Sequence, residues 1–128
     1  MSLLLDTYAF LWFVWNDPRL SVTAMSLITD PANELFLSVG TLLEVAVKVS
    51  VKKLKLSEPY ETFMQREITN AKLTIVPLTM KHAATMTSLP LHHRDPFDRL
   101  LIAQSMVENL PLVSADSAFD AYPITRLW

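Results

Sequence analysis

The sequence alternates short, unbroken apolar runs with longer segments of helical pattern, and this alternation constrains the fold more than any other feature. Leu3-Leu4-Leu5 reads as a buried strand that stops at Asp6. Thr7 to Trp15 reads as a helix ended by Asn16-Asp17-Pro18. Ser21 can N-cap a second helix reaching about Ile28, which Asp30-Pro31 stops. Glu34 to Ser38 is a second strand, and Thr41 opens a helix running to about Lys53. Pro59 to Asn70 is a further helix, Leu73 to Val76 a third strand, and Thr79 to Leu89 a short helix closed by Pro90. Asp95-Pro96 starts a helix to about Glu108, Leu112 to Ala115 is a fourth strand, and Ile124 to Leu127 supplies a fifth. Strands separated by helical segments predict βαβ units and a parallel sheet. Continuous apolar strands predict a sheet covered on both faces. The expected fold is α/β, a three-layer α/β/α sandwich around a four- to five-stranded parallel sheet. It forms one domain over residues 1–128, a length with no room for a second. In such sheets ligands bind outside the carboxyl ends of the strands.

Composition removes whole classes of function. Gly40 is the only glycine. A dinucleotide fingerprint, a P-loop and a G-x-S-x-G nucleophile elbow all need more, so none is present. Cysteine is absent, which excludes disulfides, thiolate metal sites and cysteine nucleophiles, and fits a reducing compartment. With 51% hydrophobic and 19% charged residues the chain is not disordered. Eleven basic against thirteen acidic residues give a net charge of −2, so nucleic acid would be held by a local patch or through a metal ion. The longest apolar run, Tyr8 to Trp15, is far short of the roughly 20 residues that span a bilayer. No Lys or Arg precedes Arg19, unlike a signal peptide. A soluble cytoplasmic protein with no membrane partner is expected.

The acidic residues fall at element ends. Asp6 follows the first strand and Asp116 the fourth; Glu44 lies in the first turn of the third helix, and Asp95 and Asp98 open the helix before strand four. With right-handed crossovers they share one edge of the sheet. Converging carboxylates without matching Lys or Arg repel one another unless a cation neutralises them. Oxygen-only ligands suit Mg²⁺ or Mn²⁺, and such an ion supports hydrolysis of nucleic acid. Each acid also has a structural reading. Asp95 is a good N-cap with Pro96 at N1. Thr41 and Glu44 match a capping box, and Asp116 can begin a turn with Ser117. Asp6 has the least capping need.

Among the basic residues, Glu44, Lys48, Lys52 and Lys55 would share one face of a continuing helix and could track a phosphate backbone, or form a solvated face with a Glu44–Lys48 pair. Arg94 and Arg99 flank the acids and could meet phosphates or neutralise carboxylate charge. His92 and His93 are assigned a structural or surface role, since neighbours on a loop point apart. The first helix is apolar all round, so part of Phe10, Trp12, Phe13 and Trp15 is expected to meet a partner.

Four stretches carry a resemblance: LLLDTYAFLW (3–12), DPANELFLSVGTLLEVAVK (30–48), PLHHRDPFDRLLIAQ (90–104) and PLVSADSAF (111–119). Together they resemble PIN-domain nucleases, and among these the VapC-like toxins of type II toxin–antitoxin systems. The resemblance implies an acidic quartet at Asp6, Glu44, Asp98 and Asp116. Asp6, Asp98 and Asp116 would be metal ligands and Glu44 would orient or deprotonate water. It makes Asp95 a cap and gives Thr7 and Ser114 supporting roles. It implies a Mg²⁺- or Mn²⁺-dependent endoribonuclease, RNA as substrate, and two protein partners: a cognate antitoxin and a second copy of the chain. Gly40-Thr41 departs from the Ala- and Ser-rich stretch usual before the second acid. Two other readings stand beside it. One is a PIN-fold nuclease of RNA processing or DNA repair. The other is a non-catalytic, metal-binding interaction module. A receiver domain lacks its acid pair, and a D-x-D phosphatase fails because position 8 is Tyr.

Overall fold

The computed structural model describes residues 1–128. Five strands and six helices follow in the order β1 (Ser2–Leu5), α1 (Thr7–Val14), α2 (Val22–Thr29), β2 (Glu34–Ser38), α3 (Val39–Ser50), α4 (Tyr60–Asn70), β3 (Thr74–Val76), α5 (Met80–Ser88), α6 (Pro96–Glu108), β4 (Leu112–Val113) and β5 (Arg126–Leu127). A 3₁₀ turn, Ser117–Ala121, was not foreseen; it lies between β4 and β5. Side-chain caps start most helices: Asp6, Ser21, Ser38, Thr79 and Asp95 each accept a first-turn backbone N–H. With one glycine in the chain, the left-handed residues beyond α1, α3, α4 and α6 are Asn16, Lys52, Lys72 and Asn109.

The strands are all parallel, in the order β3-β2-β1-β4-β5. The chain winds outward from β1 through β2 to β3, then crosses back to place β4 on the other side of β1. The winding reverses between β1 and β4, and this is where an open parallel sheet leaves a crevice. Leu3, Leu5, Leu35 and Leu37 face the core built with α1 to α4. Leu4, Leu112 and Phe36 face the opposite core with α6 and the 3₁₀ turn. The expected three-layer α/β/α sandwich on a parallel sheet is present.

Two expectations are corrected here. α3 begins at Val39, capped by Ser38, whose Oγ accepts the Gly40 N–H at 2.9 Å, so Thr41 is inside the helix. A side chain at position 40 would make Leu100 of α6 shift, since a Cβ there would lie 2.8 Å from its Cδ2. Phe10 cannot meet a partner. It is 0% exposed at the centre of the α1 side, whereas Trp12 and Phe13 are half-buried and Trp15 is 40% exposed, stacked on Phe63.

Burial therefore separates two aromatics of the same helix. Phe10→Ala is expected to cost about 3–5 kcal/mol in chemical denaturation. Trp15→Ala, which loses a partly solvated stack, should cost about 1 kcal/mol. Equal losses would contradict this packing.

Candidate active site

The crevice between β1 and β4 opens into a pocket of about 530 Å³ lined by Asp6, Thr7, Tyr8, Trp12, Arg19, Glu44, Lys48, Asp95, Asp98, Ala115, Asp116 and Phe119. The structure thus brings all five sequence-identified acids to one place. Asp6 leaves β1 directly and caps α1 after all, its Oδ1 accepting the Ala9 N–H at 2.7 Å. Asp116 stands three residues past β4 and caps the 3₁₀ turn through Oδ1 and Ala118 N–H. Asp95 Oδ1 accepts the N–H groups of Phe97 and Asp98. Asp98 has no side-chain hydrogen bond of its own.

Glu44 differs from the three aspartates. It lies in the second turn of α3, not the first, and is 6% exposed. No capping box forms. Thr41 and Thr7 share a hydrogen bond between their hydroxyls at 3.0 Å, and Thr7 Oγ1 donates to Glu44 Oε1 at 2.6 Å. Lys48 Nζ donates to Glu44 Oε2 at 2.7 Å and to Tyr8 Oη at 3.1 Å. Lys48 also lies over the Tyr8 ring, 4.7 Å from its centre. Although partial burial disfavours its charge, these hydrogen bonds hold the Lys48 ammonium above its ordinary pKa. Both Glu44 oxygens are thus engaged and its charge is matched.

The aspartates have no such partner. No Lys or Arg is paired with Asp6, Asp98 or Asp116. Burial lifts the Asp6 carboxyl to about 6; hydrogen bonds from Ser114 and the Ala9 N–H oppose the rise, and the charges of Glu44 and Asp116 add to it. Burial, then the charges of Asp95, Glu44, Asp116 and Asp6, lifts Asp98 to about 7. Ser114 is fully buried and also accepts the Asp116 N–H, so one hydroxyl braces two acids. This donor set of crowded carboxylate oxygens without a protein cation fits a divalent metal ion.

The basic residues divide. Lys48 lines the pocket. Lys52 does not extend a stripe from it, because α3 ends at Ser50 and Lys52 sits in a left-handed turn with φ 62°. Arg99 does not face the pocket. Its guanidinium donates to the carbonyls of Met86, Leu89, Pro90 and His93, where it secures the turn between α5 and α6. Arg94 is exposed outside the pocket lining. Two residues escaped the sequence reading. Arg19 reaches the rim, stacked 4.8 Å over the Trp12 ring. His93, assigned to a structural role, stands between Asp98 and Asp116, its Nδ1 3.9 Å from one and its Nε2 4.0 Å from the other. The sequence signal for His93 was its pairing with His92, which has the look of a metal or acid–base pair but was assigned a structural or surface role because neighbours on a loop point apart.

The raised carboxyls link stability to pH. Asp6 and Asp98 titrate higher in the fold than in the unfolded chain, so between about pH 4 and pH 7 the fold holds more protons and loses stability as pH rises. For the metal-free protein this loss is on the order of several kcal/mol by about pH 7.5, about 3 kcal/mol of it from the more deeply buried Asp6. Asp98→Asn should raise the thermal midpoint by several degrees near neutral pH and leave it unchanged near pH 4. Calorimetry across pH checks this; a variant with the parental pH slope would remove crowding as the cause.

Among solved structures, the chain is similar to VapBC2 from Rickettsia felis bound to a DNA fragment from the promoter. The TM-score is 0.73 and the identity 18%, over 99% of this chain and 98% of that one. It is similar to FitAB bound to the IR36 DNA fragment (TM-score 0.67, 17% identity, 99% and 94% covered). It is also similar to VapBC-5 from Mycobacterium tuberculosis, a member of the VapBC family of toxin-antitoxin systems (TM-score 0.62, 20% identity, 98% of each chain). At these identities the likeness is one of fold. No curated protein sequence matches the chain. The PIN domain family matches residues 3–124, nearly the whole length and all four acids of the quartet. The chain therefore belongs to the PIN domain family of nucleases.

Proposed function

We propose that this chain is a divalent-metal-dependent endoribonuclease and the toxin of a toxin–antitoxin pair. The observation that carries the reading is the convergence of Asp6, Asp98 and Asp116 at the β1/β4 crevice with no basic side chain paired to them. Mg²⁺ or Mn²⁺ bound there would grip a phosphodiester oxygen, lower the pKa of an attacking water and stabilise the leaving oxygen.

The three aspartates would hold the ion. Asp6 is fixed by its cap bond and by Ser114, so its carboxylate is presented without rearrangement. Glu44, gripped by Thr7 and Lys48, is suited to orient a water rather than to bind metal. Lys48 and Arg19 on the pocket wall, with Tyr8 and Trp12 beneath them, are placed to meet a phosphate and an adjoining base. In-line attack would leave 5′-phosphate and 3′-hydroxyl ends. The toxin assignment draws on VapBC and FitAB as fold neighbours. Location in the cytoplasm belongs to the same reading; no helix is long and apolar enough to cross a membrane.

An exposed apolar strip lies beside the pocket. Leu43, Val47 and Val51 are exposed at successive i, i+4 positions on the α3 side, next to Glu44 and Lys48 on the same helix. Trp15 exposes an aromatic face on α1's end. An antitoxin segment and a second copy of the chain are the partners proposed for these surfaces.

Asp6→Asn is expected to abolish RNA cleavage in the presence of Mg²⁺ or Mn²⁺ without lowering the thermal midpoint. Sequencing of cut ends in total RNA, with and without the substitution, is the measurement. A folded Asp6→Asn protein of full activity would take Asp6 out of the mechanism. Leu43→Asp combined with Val47→Asp should reduce self-association in light scattering while the fold is retained. An unchanged assembly would move the interface elsewhere. Co-purification with the product of the adjacent gene should silence the nuclease, and equal activity in its presence would argue for a nuclease outside a toxin–antitoxin pair.

A further inference from the structure

We propose that His93 is a nitrogen ligand of the divalent cation, through Nε2, and that it biases this site toward Mn²⁺ over Mg²⁺. The inference rests on the metal-site reading above and adds a donor that an all-carboxylate site lacks.

Three observations support it. First, the imidazole stands between two of the proposed ligands. Its nitrogens are 3.9 Å from Asp98 Oδ2 and 4.0 Å from Asp116 Oδ2, too far for hydrogen bonds. One ligand atom from each of these three residues falls within 4.8 Å of the others, a spacing that donors around one shared ion adopt. Second, Nε2 is shielded from solvent and has no hydrogen-bond partner in the protein. An imidazole nitrogen left unpaired beside a carboxylate has a cation as its natural complement. Third, the loop is held from several sides. The His93 N–H donates to Tyr122 Oη at 2.8 Å, and that hydroxyl donates to Pro90 O at 2.8 Å. Arg99 grips the His93 carbonyl, and the ring packs between Phe119 and Tyr122. A surface histidine needs no such immobilisation; a ligand does.

Nitrogen donors favour first-row transition ions, whereas Mg²⁺ prefers oxygen and retains water.

The test uses the full chain, metal-free, loaded with Mn²⁺ alone. Pulsed electron paramagnetic resonance on protein carrying ¹⁵N-histidine should show a coupling of the label to the bound Mn²⁺. In His93→Gln the coupling should vanish. Calorimetric titration should then show Mn²⁺ binding weakened about tenfold or more, and Mg²⁺ binding altered by less than about threefold. Bound Mn²⁺ with no histidine coupling would overturn the proposal and leave the carboxylate site standing. Equal weakening of both ions would overturn the selectivity. No binding of either ion to the wild-type chain would remove both the site reading and this inference. The coupling in the wild-type chain decides the ligand question even if the variant is unstable.

Discussion

Like charges forced together out of water are the condition to which the open edge of this molecule answers. Asp6, Asp98 and Asp116 meet in one pocket, and burial with mutual repulsion lifts two of them into the range of about 6 and 7. Such an arrangement opposes folding at neutral pH, because the fold disfavours the charged forms that water accepts. The stability that tolerates it comes from elsewhere: leucines on both faces of β1, with Leu35 and Leu37 on one face of β2 and Phe36 on the other, closed off by helices on either side. A scaffold that carries this repulsion without a compensating Lys or Arg leaves room for a charge that is not its own.

The acids do two tasks with different atoms. Asp6 and Asp116 each use Oδ1 to cap the segment that follows them, and Asp95 uses Oδ1 on the first turn of α6. The capping bond fixes the carboxylate plane and leaves Oδ2 of Asp6 and Asp116 to point elsewhere. The structural and chemical readings of each acid are therefore not rivals, and the choice between cap and ligand posed by the sequence dissolves in two of three cases. Only Asp95, exposed and spent on two backbone N–H groups, is a cap in the ordinary sense. Its charge still bears on the site by raising Asp98.

Much of this was legible in the sequence, and the failures share a cause. β2 was readable to the residue, because an apolar run flanked by polar ends has one sensible register. That Asp6, Asp98 and Asp116 share one edge was legible because strand ends and helix starts are local signals, and parallel topology then collects them there. Thr41 was mistaken for a cap because its spacing to Glu44 is right. What overrode it was Ser38, three residues earlier, and a tertiary bond from Thr7. Lys52 looked aligned with Lys48 because periodicity does not show where a helix ends when no glycine or proline ends it. Phe10 looked available because α1 is apolar on every side, and only the packed layers reveal which side is covered. His93 and Arg99 could not be read, since a loop's direction is set by contacts far along the chain, here with Tyr122 and the carbonyls beyond α5.

The fate of the basic residues near the pocket explains why the site stays negative. Lys48 is committed to Glu44, Arg19 to Asp17, Arg126 to Asp120 and the Ser114 carbonyl, and Arg99 to four backbone carbonyls. Each is held by these partners, and none forms an ion pair with Asp6, Asp98 or Asp116. In a chain of net charge −2 the attraction for a phosphate backbone therefore cannot come from a broad basic surface. On the proposed reading it would come from Lys48 and Arg19 at the pocket wall and from an ion held by the aspartates. The same commitment leaves the three acids open to any other cation of the right reach. A basic side chain from a partner protein would meet no internal competitor there, so on the proposed reading the feature that would equip the site for chemistry would also make it easy to silence.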